Sequence, residues 1–110
     1  MATSYKVLAQ SAPAATTETT LYTVPSATSA VVSTISVANQ SGTSGTYRIA
    51  VRPAADASTE QKHYIVYGAT VAASDSIMLT LGLTLAAGDV VRVYASSGDM
   101  SFSAFGSEIS

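Results

Sequence analysis

The sequence contains no cysteine among its 110 residues. Disulfide bonds and thiolate metal ligands are therefore excluded, and the fold has to be stabilised by packing alone. Tryptophan is also absent, and histidine occurs once, at His63. The chain is thus poor in the side chains that most often transfer protons or hold metal ions.

Charged residues are scarce as well. They make up 11% of the chain, against about 25% in an average globular domain, and the formal net charge is -2. No Lys/Arg cluster is present, so we expect no binding to nucleic acid. Ser and Thr together number 31 and replace the missing charges on polar surfaces. A hydroxyl-rich, weakly charged surface loses little hydration energy on contact, which favours assembly with other proteins.

Long apolar runs are missing too. Residues 1–6 lack the basic start and apolar stretch of a signal peptide, and no segment approaches about 18 consecutive apolar residues. We therefore expect a protein made in the cytoplasm, with no membrane partner.

Short β-branched segments separated by turn signals dominate what remains. Turn signals recur at roughly 8 to 12 residue spacing, which predicts an all-β fold: a single antiparallel β-sandwich of about eight strands, jelly-roll-like or Ig-like. Residues 1–17 are predicted as an N-terminal strand and an arm or connector, and we expect this segment to lie on a neighbouring subunit. Residues 18–110 form the body of the one domain.

Alternation of apolar and polar residues predicts which side chains face the core. A change of parity near Ala104–Gly106 predicts a bulge in the last strand, and Gly82 predicts a bulge or a bend in an earlier one. The predicted core comprises Val31, Ile35, Val37, Tyr47, Ile49, Val51, Ile77, Leu79, Leu81, Val91, Val93 and Phe102.

No motif supports catalysis. His63 has Asp56, Ser58 and Glu60 upstream, but no nucleophile elbow or ordered triad accompanies them. We interpret His63 as a histidine at the exposed start of a strand. The carboxylates occur singly, mostly in turns, so we predict no metal site, no cofactor and no enzymatic activity.

Tyrosines are the residues best suited to recognition, because aromatic side chains concentrate at interface hot spots. Tyr5, Tyr64 and Tyr67 are the candidate interface residues. Tyr64 and Tyr67 are three apart, which in a regular strand places them on opposite faces, with one ring open to a partner. If the exposed tyrosines line a groove, the alternative is a carbohydrate-binding or receptor-binding module.

Several segments carry a resemblance to a known kind of protein. They are LYTVP at Leu21–Pro25, ISVANQS at Ile35–Ser41, YRIAVRP at Tyr47–Pro53, LAAGDVVRVYAS at Leu85–Ser96 and SFSAFGSEI at Ser101–Ile109. Over residues 6–109 the chain resembles small virion structural proteins of tailed bacteriophages.

The resemblance implies a non-enzymatic β-sandwich that serves as a repeated part of the virion. The role it favours is a capsid decoration or cement subunit, and the alternative is a tail, neck or baseplate accessory protein. The implied partners are further copies of the chain and other virion proteins, above all the major capsid protein.

Overall fold

A computed structural model describes residues 2–110, and it consists almost entirely of strands. One short 3-10 turn, Gln61–His63, occurs within those residues, and none of their helical segments could span a membrane. The strands are β1 (Thr3–Ser11), β2 (Thr19–Thr23), β3 (Ser29–Asn39), β4 (Gly45–Arg52), β5 (Tyr64–Val71), β6 (Ser76–Leu85), β7 (Val90–Ala95) and β8 (Met100–Ile109).

The strands form two antiparallel four-stranded sheets. Sheet A has the order β1-β8-β3-β6, and sheet B has the order β2-β7-β4-β5. Strand β4 pairs with β5, β3 with β6, β2 with β7 and β1 with β8, as if one long hairpin had been rolled up. This is the topology of a jelly roll, which settles the choice left open between a jelly-roll-like and an Ig-like sandwich.

The core lies between the inner faces of the two sheets. Tyr47 and Phe102 meet across it, with ring centroids 6.3 Å apart in an edge-to-face arrangement. Most predicted core positions are buried or pack against the core, although Ile77, Leu79 and Leu81 are only partly buried because β6 is an edge strand. The fully buried side chains include Val24, Val32, Ile35, Val37, Ile49, Val71, Val91, Val93, Met100 and Phe102.

One predicted core residue, Val31, lies instead on the outer face of sheet A. Ser33 is an extra residue in β3, because Val32 pairs with Gly106 and Thr34 pairs with Phe105. An extra residue reverses which side chains of a strand face the core. Even-numbered residues such as Val32 therefore face the core before Ser33, and odd-numbered residues face it afterwards. The Ser33 hydroxyl donates a hydrogen bond to the Phe105 carbonyl at 3.1 Å.

The bulge predicted in the last strand is not in β8 itself but in the two strands that pair with it, β1 and β3. Strand β8 keeps one parity throughout, and the extra residues are Leu8 in β1 and Ser33 in β3. The bulge predicted at Gly82 is confirmed, since Val32 pairs with Leu83 while Thr34 pairs with Thr80. Phe105 and Ile109 are therefore on the outer face of sheet A.

The N-terminal segment is part of the sandwich. Residues 3–11 pair with β8 of the same chain and so form an edge strand of sheet A, whereas contact of this segment with a neighbouring subunit stays a prediction. Residues 12–18 form the predicted connector to β2, and Met1 lies outside the described residues. Strand β1 of the same chain therefore covers this edge of β8.

A polar clamp joins the two sheets at one end of the sandwich. The Tyr22 hydroxyl, from sheet B, donates a hydrogen bond to one carboxylate oxygen of Glu108 in sheet A. Lys6 Nζ lies 2.6 Å from the other oxygen. The hydrogen bonds from Lys6 and Tyr22 lower the pKa of Glu108, whereas burial and the nearby carboxylate raise the pKa of Tyr22.

Candidate functional site

The structure divides the three candidate tyrosines between two surfaces. Tyr5 lies on edge strand β1 of sheet A and is 85% exposed. Tyr64 and Tyr67 lie on edge strand β5 of sheet B. The predicted interface residues therefore do not form one site.

Tyr64 and Tyr67 share the outer face of sheet B, contrary to the prediction that they face opposite ways. Tyr64 pairs with Ala50 and Val66 pairs with Ile49, so Ile65 is an extra residue that reverses the alternation. The two rings consequently meet, with centroids 5.0 Å apart and an interplanar angle of 84°.

Strand β5 also continues through Gly68. Gly68 has a φ of 79°, which strongly favours glycine, and it is bulged because Tyr67 pairs with Arg48 while Ala69 pairs with Tyr47. The strand therefore runs to Val71 and presents Tyr67 beside a central strand of sheet B.

Arg48 stacks between two tyrosines at this place. Its guanidinium carbon lies 4.3 Å from the centre of the Tyr67 ring and 4.1 Å from that of Tyr94. Such contacts are favourable because the faces of aromatic rings carry partial negative charge. No carboxylate within residues 2–110 is in salt-bridge distance of Arg48. We call Arg48, Tyr64, Tyr67 and Tyr94 the tyrosine–arginine cluster.

A carboxylate closes the cluster on the side of Tyr64. The Tyr64 hydroxyl donates a hydrogen bond to Glu18 Oε1 at 2.9 Å, and Arg92 Nε donates one to Glu18 Oε2 at 3.1 Å. Burial acts to raise the pKa of Glu18, but hydrogen bonds from Thr59, Tyr64 and Arg92 outweigh it and lower the pKa. Burial, reinforced by the Glu18 carboxylate, raises the pKa of Tyr64.

A cleft of about 640 Å³ opens beside the cluster. Its walls are Tyr64 and Tyr67 on one side and the loop residues Thr59, Glu60 and Gln61 on the other. The cleft combines two aromatic rings with a few polar side chains, which is the usual chemistry of a small-ligand site.

His63 holds the loop that forms the polar wall, and it is buried rather than exposed as predicted. Its Nδ1 accepts a hydrogen bond from the Glu60 backbone N–H at 2.8 Å, so the proton of the neutral ring is on Nε2. Nε2 lies 2.8 Å from Asp56 Oδ2, and this hydrogen bond lowers the pKa of Asp56. Both ring nitrogens are therefore engaged in loop structure, and neither is available to activate a hydroxyl.

The outer surface of sheet A has a different character. The only charged residues of its four strands are Lys6 and Glu108, and both belong to the clamp on the inner side. Tyr5, Val7 and Met78 (the last 66% exposed) stand on this surface among hydroxyls. We call it the hydroxyl face, and its residues are Thr3, Tyr5, Val7, Ser29, Val31, Thr34, Ser36, Ser76, Met78, Thr80, Thr84, Ser101, Ser103, Phe105, Ser107 and Ile109.

Sequence reasoning recognised part of these surfaces. Because Tyr47 and Ile49 are predicted core residues, alternation places Arg48 on the outer side of β4, and Tyr94 could have been placed on the same side of the sheet because Val91 and Val93 face inward. Glu18 could not have been assigned, since it meets Tyr64 across 46 residues of sequence.

Within residues 2–110 no group of three or more His, Asp or Glu side chains is arranged to hold a metal ion. No protein-family model matches the chain, and no curated protein matches it significantly.

Proposed function

We propose that this chain is a non-enzymatic structural protein of a tailed-phage virion, namely a capsid decoration or cement subunit that binds the major capsid protein. The observation that carries the proposal is the hydroxyl face of sheet A. It is a whole sheet surface without a charged side chain, whereas the three arginines of the chain, Arg48, Arg52 and Arg92, all belong to sheet B.

The chemistry of the hydroxyl face suits burial against another protein. Charged residues are depleted at the centre of protein interfaces because their dehydration is costly, whereas hydroxyls and apolar groups are dehydrated more easily. Tyr5, Val7 and Met78 provide exposed apolar contact area on this face. Repeated docking on a lattice can build firm attachment from such modest contacts through multivalency.

The resemblance of residues 6–109 to small phage virion proteins supports the same assignment, and so does the jelly-roll topology, which is frequent among viral capsid proteins. The topological argument is an analogy, because jelly rolls also serve other functions. The tail, neck or baseplate role differs from decoration in copy number and symmetry.

The test is a pair of matched substitutions on the two sheets. Thr80 on the hydroxyl face and Thr70 on the outer side of sheet B are both exposed strand residues. Thr80→Glu introduces a charge that would have to be dehydrated on docking, so we expect it to reduce particle binding at least tenfold. Thr70→Glu, the control, should leave binding within about twofold.

Binding is measured by adding each purified variant to virions of the phage that encodes the chain, and wild-type copy number by quantitative mass spectrometry. On the order of hundreds of copies per virion supports decoration. A number set by the symmetry of a tail or neck ring assigns the chain there instead. Absence from the virion, or equal binding by both variants, refutes the proposal.

A further inference from the structure

The Tyr67 ring is both exposed and held in place. It is 65% exposed, yet Arg48 stacks on it and the Tyr64 ring meets it at nearly a right angle. An exposed aromatic side chain ordinarily loses freedom when a ligand stacks on it. Because these neighbours already restrict the ring, that entropic cost is reduced at this position.

The opposite wall of the cleft is restrained in the same way. Arg52 Nη1 donates to Thr59 Oγ1 at 3.4 Å, and His63 ties the Glu60 backbone and Asp56 together. The Glu60 carboxylate, which is exposed and forms a long ion pair with Lys62 at 4.0 Å, and the exposed Gln61 amide are the polar groups that face solvent. The cleft therefore offers an aromatic surface next to hydrogen-bond donors and acceptors.

The charges around the cleft argue against an ionic ligand. A cation on Tyr67 would meet Arg48, whose guanidinium already lies 4.3 Å from the ring centre. An anion would meet Glu60, the charged residue among the lining side chains, and the exposed Lys62 at 4.0 Å from the Glu60 carboxylate offsets that repulsion only weakly because water screens an exposed ion pair. A neutral ligand with one apolar face and several hydroxyls avoids both repulsions.

We propose that this cleft binds a neutral saccharide, with the C–H face of a pyranose ring on Tyr67 and its hydroxyls bonded to Glu60 and Gln61. This function goes beyond attachment to a particle. It is located on sheet B, opposite the hydroxyl face, so a docked subunit would keep the cleft open to solvent.

The test is saturation-transfer NMR with four neutral probes: maltotriose, cellotriose, N,N′,N″-triacetylchitotriose and lactose. At least one should receive saturation mainly on the ring protons of one pyranose face. Glucuronic acid and choline serve as anionic and cationic probes, and we expect both to bind more weakly than that sugar.

Three variants locate the site. Tyr67→Ala removes the stacking surface and should weaken binding of that sugar about tenfold or more. Tyr67→Phe preserves the ring and should remain within about threefold of the wild type. Met78→Ala, an exposed substitution on the hydroxyl face, should leave sugar binding unchanged. Circular dichroism checks that each variant is folded.

Failure of all four sugars to bind at millimolar concentration overturns the proposal, as does binding that Tyr67→Ala leaves unchanged. Tighter binding of choline or glucuronic acid also overturns it. Because Thr80→Glu tests the other sheet, loss of particle attachment and loss of sugar binding are separate results.

Discussion

Replacement of Gly106 by Ala should disrupt the centre of sheet A. Gly106 lies in β8 opposite Val32, next to the extra residue Ser33 of β3. A Cβ atom at Gly106 would lie 1.9 Å from the Val31 carbonyl oxygen and 3.1 Å from the Val32 Cα. These are backbone atoms of a neighbouring central strand, so no side-chain rotation can relieve the overlap.

The expected loss of stability in Gly106→Ala follows from how far β3 and β8 must separate. Nonbonded carbon and oxygen atoms stay more than about 3 Å apart, so β3 and β8 would have to move by roughly 1 Å. A shift of that size takes ladder hydrogen bonds beyond their normal range of about 2.7 to 3.2 Å. Losing two or three bonds worth about 1 kcal/mol each, with added strain, costs about 3 to 5 kcal/mol. That is a large part of a typical domain stability of about 5 to 15 kcal/mol.

Urea denaturation followed by far-UV circular dichroism measures this loss. Gly82→Ala is the matched control, because Gly82 is in β6 of the same sheet and nothing lies within 4 Å of its added Cβ. The control should be within about 0.5 kcal/mol of the wild type or slightly more stable. If Gly106→Ala is no more destabilising than Gly82→Ala, the close approach of β8 to the Ser33 bulge is refuted.

Further predictions concern the clamp and the core. Tyr22→Phe removes the hydroxyl that donates to Glu108 and should lower the free energy of unfolding by about 1 to 2 kcal/mol. This is near the lower end of the range for a hydrogen bond to a charged acceptor, because Lys6 still binds the carboxylate. An unchanged melting temperature would contradict this prediction. Because the pKa of Glu108 is lowered in the folded protein, its contribution to stability is present above pH 4.5 and is lost as the pH falls through the folded-state value. Urea titrations over that pH range should therefore show a shallower decline for Glu108→Gln, and equal slopes would argue against the clamp. Ile49→Ala should cost about 3 to 5 kcal/mol because Ile49 is fully buried, whereas Leu79→Ala on edge strand β6 should cost about 1 to 2 kcal/mol; equal losses in chemical denaturation would refute that ranking.

The amino-acid sequence by itself determined the fold class and nearly every strand. Composition and turn spacing predict an all-β sandwich of about eight strands, and alternation assigns Tyr47 and Ile49 to the core and Arg48 to the outside. These features follow from local geometry, because successive side chains of a strand point to opposite faces.

Only the tertiary structure decided which residues share a surface. Ser33 and Ile65 each add one residue to a strand, and a single extra residue exchanges its two faces. Neither has a sequence signature of its own, so Val31 was assigned to the core and Tyr64 and Tyr67 to opposite sides. The burial of His63 likewise depends on loop hydrogen bonds that no periodicity encodes. Alternation reports local geometry, whereas the position of a bulge depends on packing against neighbouring strands, and that packing exists only in the folded chain.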